Sequence, residues 1–197
     1  MSRIFILDCE SLGVADNSIV LSIGMTYFDE GESPTFDDLL ERGYYTKCER
    51  KEQKAAGRIA EADTLAWWED QGSEAREVLS NKDVLPFKRW SREFKEWLED
   101  HECDDHSTIM SRGLIDERFV NTCFLSFNKP RIFNYWQFRD TRTALDLLCG
   151  TSEGPRCDLD GFIKHNALHD AAADALRLCI AFKKANGEEY EPDKVPF

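Results

Sequence analysis

Arg3-Ile4-Phe5-Ile6-Leu7-Asp8-Cys9-Glu10 is the stretch on which the reading of this chain turns. Residues 3–7 form an apolar run short enough for a buried strand. That run meets two acids at once. Residues two apart on a strand share a face, so Asp8 and Glu10 project together and Cys9 points the other way. Two carboxylates on one face repel unless cations neutralise them, and Mg²⁺ or Mn²⁺, which take oxygen ligands, suit such a pair. An acid pair at a strand end is also ordinary turn chemistry, so further residues must support the reading.

Working outward, Ser18–Phe28 (SIVLSIGMTYF) reads as a second strand, rich in Ile, Val, Tyr and Phe. The intervening segment 11–17 carries Gly13 and an Asp16-Asn17 turn signal. Gly43–Cys48 is a third strand, and three strands on short turns imply an antiparallel meander. Residues 49–62 are highly charged and read as a loop leading to a helix over 64–71, with Asp63 as N-cap. Ser73 caps a short helix reaching Leu79. Pro86–Asp100 is an amphipathic helix with Phe87, Trp90, Phe94, Trp97 and Leu98 on one face. A strand at 106–110, a helix at 116–127, a short strand at 131–133 and a helix at 140–149 follow. A Gly/Pro-bearing loop precedes the last helix, Ala167–Ala185. This order describes an α/β domain, a mixed sheet with helices on its faces, over residues 1–185. The remainder, 186–197, is a polar tail expected to be weakly ordered.

A chain of 197 residues suits one domain with one sizeable core. It contains no membrane-length apolar run, and the first apolar stretch is too short for a signal peptide, so a cytoplasmic location is expected. The seven cysteines are odd in number, irregular in spacing and without a CxxC, which argues against a disulfide framework or a structural zinc site. The net charge of −13 excludes a protein that coats nucleic acid by bulk electrostatics. Any polyanionic substrate must be gripped locally, by bound metals and a few nearby Lys and Arg.

Further candidates lie far along the chain. His165-Asn166-Ala167-Leu168-His169-Asp170 opens the last helix. A histidine there can take a proton from water near neutral pH, and Asp170 can ligate metal. Spacing leaves a choice of register, because His169 and Asp174 repeat the separation of His165 and Asp170. His165 and His169 also make an H-x-x-x-H, but Asn166 stands where a zinc protease needs Glu. Asp116 begins a helix after a strand and Gly113, a position equally suited to an N-cap. Asp140 lies between Arg139 and Arg142, an arrangement for ion pairing or phosphate contact. Acids at 8, 10, 116 and 170, each at a strand end or helix start, are distributed as a scaffold presents a two-metal site.

These residues resemble the DEDDh (DnaQ-like) 3′-5′ exonucleases. Asp8-Cys9-Glu10-Ser11-Leu12-Gly13 is similar to their D-x-E-T-L-G signature, Gly113-x-x-Asp116 to their central motif, and His165-Asn166-Ala167-Leu168-x-Asp170-Ala171 to their final one. Thr64, Trp67-Trp68, Gln71 and Ala75-Arg76, with the later Arg139–Thr143, resemble the small branch holding phage-type exonuclease A and a compact bacterial exoribonuclease. The resemblance spans residues 3–181. It implies a ribonuclease-H-like fold and two Mg²⁺ or Mn²⁺ ions on Asp8, Glu10, Asp116 and Asp170. It makes His165, not His169, the general base, with Glu10 also counted as catalytic. The implied substrate is the 3′ end of single-stranded RNA or DNA, released as nucleoside 5′-monophosphates. Ser11, Leu12, Trp67, Trp68, Gln71, Asp140 and Arg142 are the expected substrate contacts, and a homodimer is compatible, since relatives are often dimers. Departures are Ser11 for Thr, Ile115 for an aromatic residue, and Met110-Ser111-Arg112 for Trp-Gly-Asn. Two rival functions share these features: a phosphodiesterase of dinucleotides and small nucleotides, and a non-catalytic acidic binding protein on a nuclease fold.

Overall fold

The computed structural model describes residues 3–191; half of the expected polar tail, 192–197, lies outside them. Six strands form one mixed sheet in the order β4-β3-β2-β1-β5-β6. They are β1 (Arg3–Ser11), β2 (Val20–Asp29), β3 (Tyr44–Cys48), β4 (Val84–Leu85), β5 (Thr108–Ser111) and β6 (Phe138–Asp140). β1, β2 and β3 make the expected antiparallel meander. β5 joins β1 in parallel, β6 joins β5, and β4 joins β3. The helices are α1 (Phe36–Glu41), α2 (Arg50–Ala55), α3 (Ala62–Glu69), α4 (Ser73–Arg76), α5 (Phe87–Asp100), α6 (Ile115–Ser126), α7 (Thr141–Cys149) and α8 (Ala167–Ala185).

Alternation along β1 sorts the core into two layers. Phe5, Leu7 and Cys9 face one side, where they meet Phe87, Trp90 and Phe94 of α5 and Phe119, Val120, Cys123 and Phe124 of α6. Ile6 faces the other side, under Ala172, Ala175, Leu176 and Cys179 of α8 and Leu145 of α7. Asp8 and Glu10 continue the Ile6 face, at the end of the sheet where α8 starts. A third, smaller cluster joins Leu12, Ile19 and Leu21 to Trp68, Ala75 and Val78.

Helix α8 can lie this close to the sheet only because position 24 is glycine. A Cβ there would fall 2.2 Å from the carbonyl carbon of Ala167 and 2.2 Å from the nitrogen of Leu168. Gly24 is the cross-strand partner of Asp8. The head of α8 is thereby set directly beside the first acid.

Several elements differ from the sequence expectation. The strand expected at 131–133 does not form, because the Asn121 side chain takes the backbone groups a ladder would use. Its Oδ1 accepts from Ile132 N and Phe133 N, and its Nδ2 donates to Phe133 O. The edge strand is Phe138–Asp140 instead. Residues 49–62 contain α2, and Gln53 anchors it by bonding both backbone groups of Val20. Glu61 and Gly72, rather than Asp63 and Ser73, stand at the N-caps of α3 and α4. Helix α1, whose Thr35 and Asp38 form a reciprocal capping box, and strand β4 were not foreseen. All seven cysteines are free, and Cys9, Cys48, Cys123 and Cys179 are buried. Among the described residues no helix is long and apolar enough to cross a membrane.

Candidate active site

The carboxylates are positioned by backbone as well as by packing. Asp116 sits in the first turn of α6, buried at 4% exposure, and its Oδ1 accepts a 3.0 Å bond from Cys9 N, between Asp8 and Glu10. It is not the helix cap. That place belongs to Leu114, in the left-handed region at φ +56°. Asp170, in the first turn of α8, accepts from His165 N at 2.8 Å. This bond pins the loop ahead of the helix, where His165 takes φ +63° and Asn166 caps α8 by accepting from Leu168 N and His169 N. Three elements thus bring four acids and one histidine to one end of the sheet.

Side-chain oxygens of Glu10 and Asp170 and a ring nitrogen of His165 all lie within 4.8 Å of one another. Nδ1 of His165 stands 3.7 Å from Glu10 Oε1, and its Nε2 is buried without a hydrogen bond. The imidazole is packed edge-on against Trp67, with ring centroids 4.8 Å apart, and Trp68 at 5.9 Å. His169 goes elsewhere: it accepts from Ile163 N and packs edge-on to Phe36. Asp174 is turned to Arg112 and Arg177, with Arg112 Nε 2.7 and 2.9 Å from its two oxygens.

Crowding acids under a protein surface disfavours their charged forms. Burial first, then repulsion from Asp116, Glu10 and Asp170, holds the Asp8 carboxyl well above the usual carboxylate range. Burial, with repulsion from Glu10, pushes Asp116 to about 7 despite the Cys9 N–H. Burial and then Glu10 likewise push Asp170 to about 7. A set of closely held carboxylate oxygens that cannot all ionise alone fits the oxygen-seeking divalent cations, whose charge restores the ionised forms.

The remaining expected contacts surround this cluster unevenly. Trp67 is 42% exposed, whereas Trp68 is 1% exposed and donates its indole N–H to Ser11 O. Leu12 is buried in the same cluster as Trp68, so in this conformation neither offers a face to a base. Ser11 bonds the carbonyl of Gly13, and Gln71 the carbonyl of Trp67. Asp140 caps α7 through Thr143 N and also accepts from Gly113 N, clasping β6 to the loop ahead of Asp116. Arg142 is exposed beside that loop. Gly24 was missed, although a glycine inside a strand pattern signals close backbone approach. The Arg112–Asp174 pair left no local signal.

A family model described as the 3′-5′ exoribonuclease Rv2179c-like domain matches residues 3–179. The chain belongs to this family. Like the family, it is a 3′-5′ exonuclease. It is 30% identical over 214 residues to the exodeoxyribonuclease of Enterobacteria phage T4, covering 96% of this chain and 93% of the phage protein. Its fold is also that of Escherichia coli exonuclease I. The complex of that enzyme with a dA16 oligonucleotide superposes with a TM-score of 0.59 at 12% identity, over 95% of this chain and 42% of that one. The zinc-bound form of its single-stranded DNA complex gives 0.54 at 13% identity, over 93% of this chain and 41% of that one. The chain thus spans about two fifths of the exonuclease I chains it matches.

Proposed function

We propose that this exonuclease hydrolyses single-stranded RNA or DNA from its 3′ end, releasing nucleoside 5′-monophosphates, with two Mg²⁺ or Mn²⁺ ions held by Asp8, Glu10, Asp116 and Asp170. The observation that carries the reading is the clustering of Glu10, Asp170 and His165 from β1 and the head of α8, with Asp116 of α6 bonded to the backbone between Asp8 and Glu10 and with Asp8 repelled by the other three acids. The names of the relatives support it: one is an exoribonuclease family and another an exodeoxyribonuclease. The distant exonuclease I is described with single-stranded DNA and with zinc. Bound at these carboxylates, the ions supply charge to polarise the scissile phosphate and to lower the pKa of the attacking water.

The chain's own residues do the rest. His165 takes the proton of the water that attacks phosphorus, the bond to the 3′-oxygen breaks with its electron pair on that oxygen, and a proton from solvent completes the 3′-hydroxyl of the shortened strand. Glu10 Oε1 stands 3.7 Å from Nδ1 of that ring. Trp67, wedged on the ring, limits its rotation and offers its open face to the terminal base. Ser11, Gln71 and Arg142 border the same end of the sheet and contact the terminal nucleotides. A chain of net charge −13 gains little from bulk attraction, so recognition is concentrated at the metal-bearing end.

The test is incubation of 3′- and 5′-labelled single-stranded RNA and DNA with the protein in Mg²⁺, in Mn²⁺ and in EDTA. Stepwise shortening from the 3′ end, abolished by EDTA, supports the proposal and names the preferred sugar. Shortening that persists in EDTA, or internal cleavage, refutes it.

A further inference from the structure

Residues 129–142, KPRIFNYWQFRDTR, hold four of the chain's 25 Lys and Arg and one of its 38 acids. In so acidic a protein this is a local reversal of charge. The segment leads into the edge strand β6, whose far end, Asp140, clasps the loop before Asp116. Two of its aromatic residues are not in the core: Tyr135 is 81% and Trp136 51% exposed, while Phe133 and Phe138 of the same segment are buried. The exposed rings are held in place. Trp136 donates its indole N–H to Asp105 O at 3.0 Å, and Tyr135 stands edge-on to it at 5.2 Å. The turn that carries them is closed by Asn134 and Gln137 as a reciprocal cap, with Gln137 tied to Asp104 O.

Arg139 adds an independent observation. Its Nη1 donates to Trp136 O and Phe138 O, both at 2.7 Å. It is exposed, and no ion pair to a carboxylate is found for it among the described residues. A guanidinium fixed by carbonyls, with donors left over, is prepared for an anion such as phosphate. Arg131 and Arg142 are likewise exposed. Asp104 and Asp105 lie against the same turn through their carbonyls, and the Asp105 carboxylate accepts from Asn134 Nδ2.

We propose that Tyr135, Trp136 and Arg139 form a binding platform for the single strand upstream of the scissile bond, the rings stacking bases and Arg139 holding a phosphate. This rests on the exonuclease reading and extends it to substrate length. Two residues of 3-10 turn and two of strand separate Trp136 from Asp140, roughly 10 Å along the chain. At about 3.4 Å per stacked nucleotide this is a run of roughly three. Substrates shorter than that cannot engage the active site and the platform together. The occupant is a single strand rather than a protein because two adjacent exposed rings stand beside a guanidinium held by carbonyls, with exposed Arg131 and Arg142 before and after them in the sequence, and such rings and cations suit bases and phosphates.

The experiment compares wild type, Tyr135→Ala/Trp136→Ala and Arg139→Gln on a dinucleotide and on a twelve-nucleotide single strand of the preferred sugar, with sedimentation of each protein. The double variant is expected to raise KM for the longer strand roughly 10- to 100-fold and to leave dinucleotide hydrolysis unchanged. Arg139→Gln is expected to raise the same KM several-fold and to flatten its salt dependence. An unchanged KM on the longer strand overturns the platform. So does equal loss on both substrates, or a changed oligomeric state, which would make the rings a protein contact. Wild type inactive on both substrates would instead refute the exonuclease reading itself.

Discussion

Gly24→Ala is the substitution that most sharply separates placement of the site from its chemistry. Residue 24 carries no functional group, yet its added methyl would lie 2.2 Å from Ala167 C and 2.4 Å from Ala167 O. Ordinary contact begins near 3.4 Å, and both atoms are backbone in the first turn of a buried helix. The head of α8 must therefore retreat from β2 by more than 1 Å, taking Asp170 and His165 away from Asp8 and Glu10. Overpacking of this kind costs about 1–3 kcal/mol, a fall in Tm of roughly 2–12 °C for a chain of this size. Displacement of reacting groups by about 1 Å is on the order of a 100-fold loss in rate. Thermal melts and single-turnover rates on a 3′-labelled strand measure both. Gly72→Ala, where the methyl meets open space, is the stability control. A Gly24→Ala protein with wild-type turnover would refute the claim that this close approach sets the site.

Other expectations follow from the same geometry. In metal-free protein Asp116 keeps its proton up to about pH 7, whereas the unfolded chain loses it near 3.8. The folded state therefore binds the extra proton between those values, and stability falls as pH rises through that window. The melting temperature in EDTA should be higher at pH 5.5 than at pH 8, saturating Mg²⁺ should narrow that gap, and calorimetry should show protons released on metal binding. Trp68→Ala, which empties a buried site, should cost about 3–5 kcal/mol in denaturant melts. Trp67→Ala should cost far less stability and act on KM and on the pH profile of turnover. Arg112→Leu leaves buried Asp174 with Arg177 alone and should destabilise by on the order of 3 kcal/mol, read by urea unfolding.

The strand that carries Asp8 and Glu10 was legible because an apolar run ending in alternating acids has few other readings. α8 was legible from end to end in its Ala-rich pattern, and the structure adds the Asn166 cap at its start. What the chain hid was settled by distant partners. Residues 131–133 have strand composition, but Asn121 captures their backbone, and β6 exists only by parallel pairing with β5. Asp116 looked like a cap in sequence and became a buried acid through Cys9 N, more than a hundred residues away in the chain. His165 and His169 were equivalent by spacing, and the difference lies in Glu10 beside one and Phe36 beside the other. Trp67 and Trp68 are adjacent in sequence, yet one is exposed and one enclosed, which follows from the cluster around Leu12 and Val78.

The central claim is that Asp8, Glu10, Asp116, Asp170 and His165 act as one metal-dependent site. The most direct measurement is the rate of 3′-terminal nucleotide release by wild type, Asp8→Ala, Asp170→Ala and His165→Ala, each shown folded by circular dichroism, across a Mg²⁺ titration. The account predicts rates lowered on the order of 100- to 10,000-fold for His165→Ala, and loss of Mg²⁺ dependence together with activity for the two acid variants. A folded Asp8→Ala protein that releases nucleotides at the wild-type rate with the same Mg²⁺ response would contradict it.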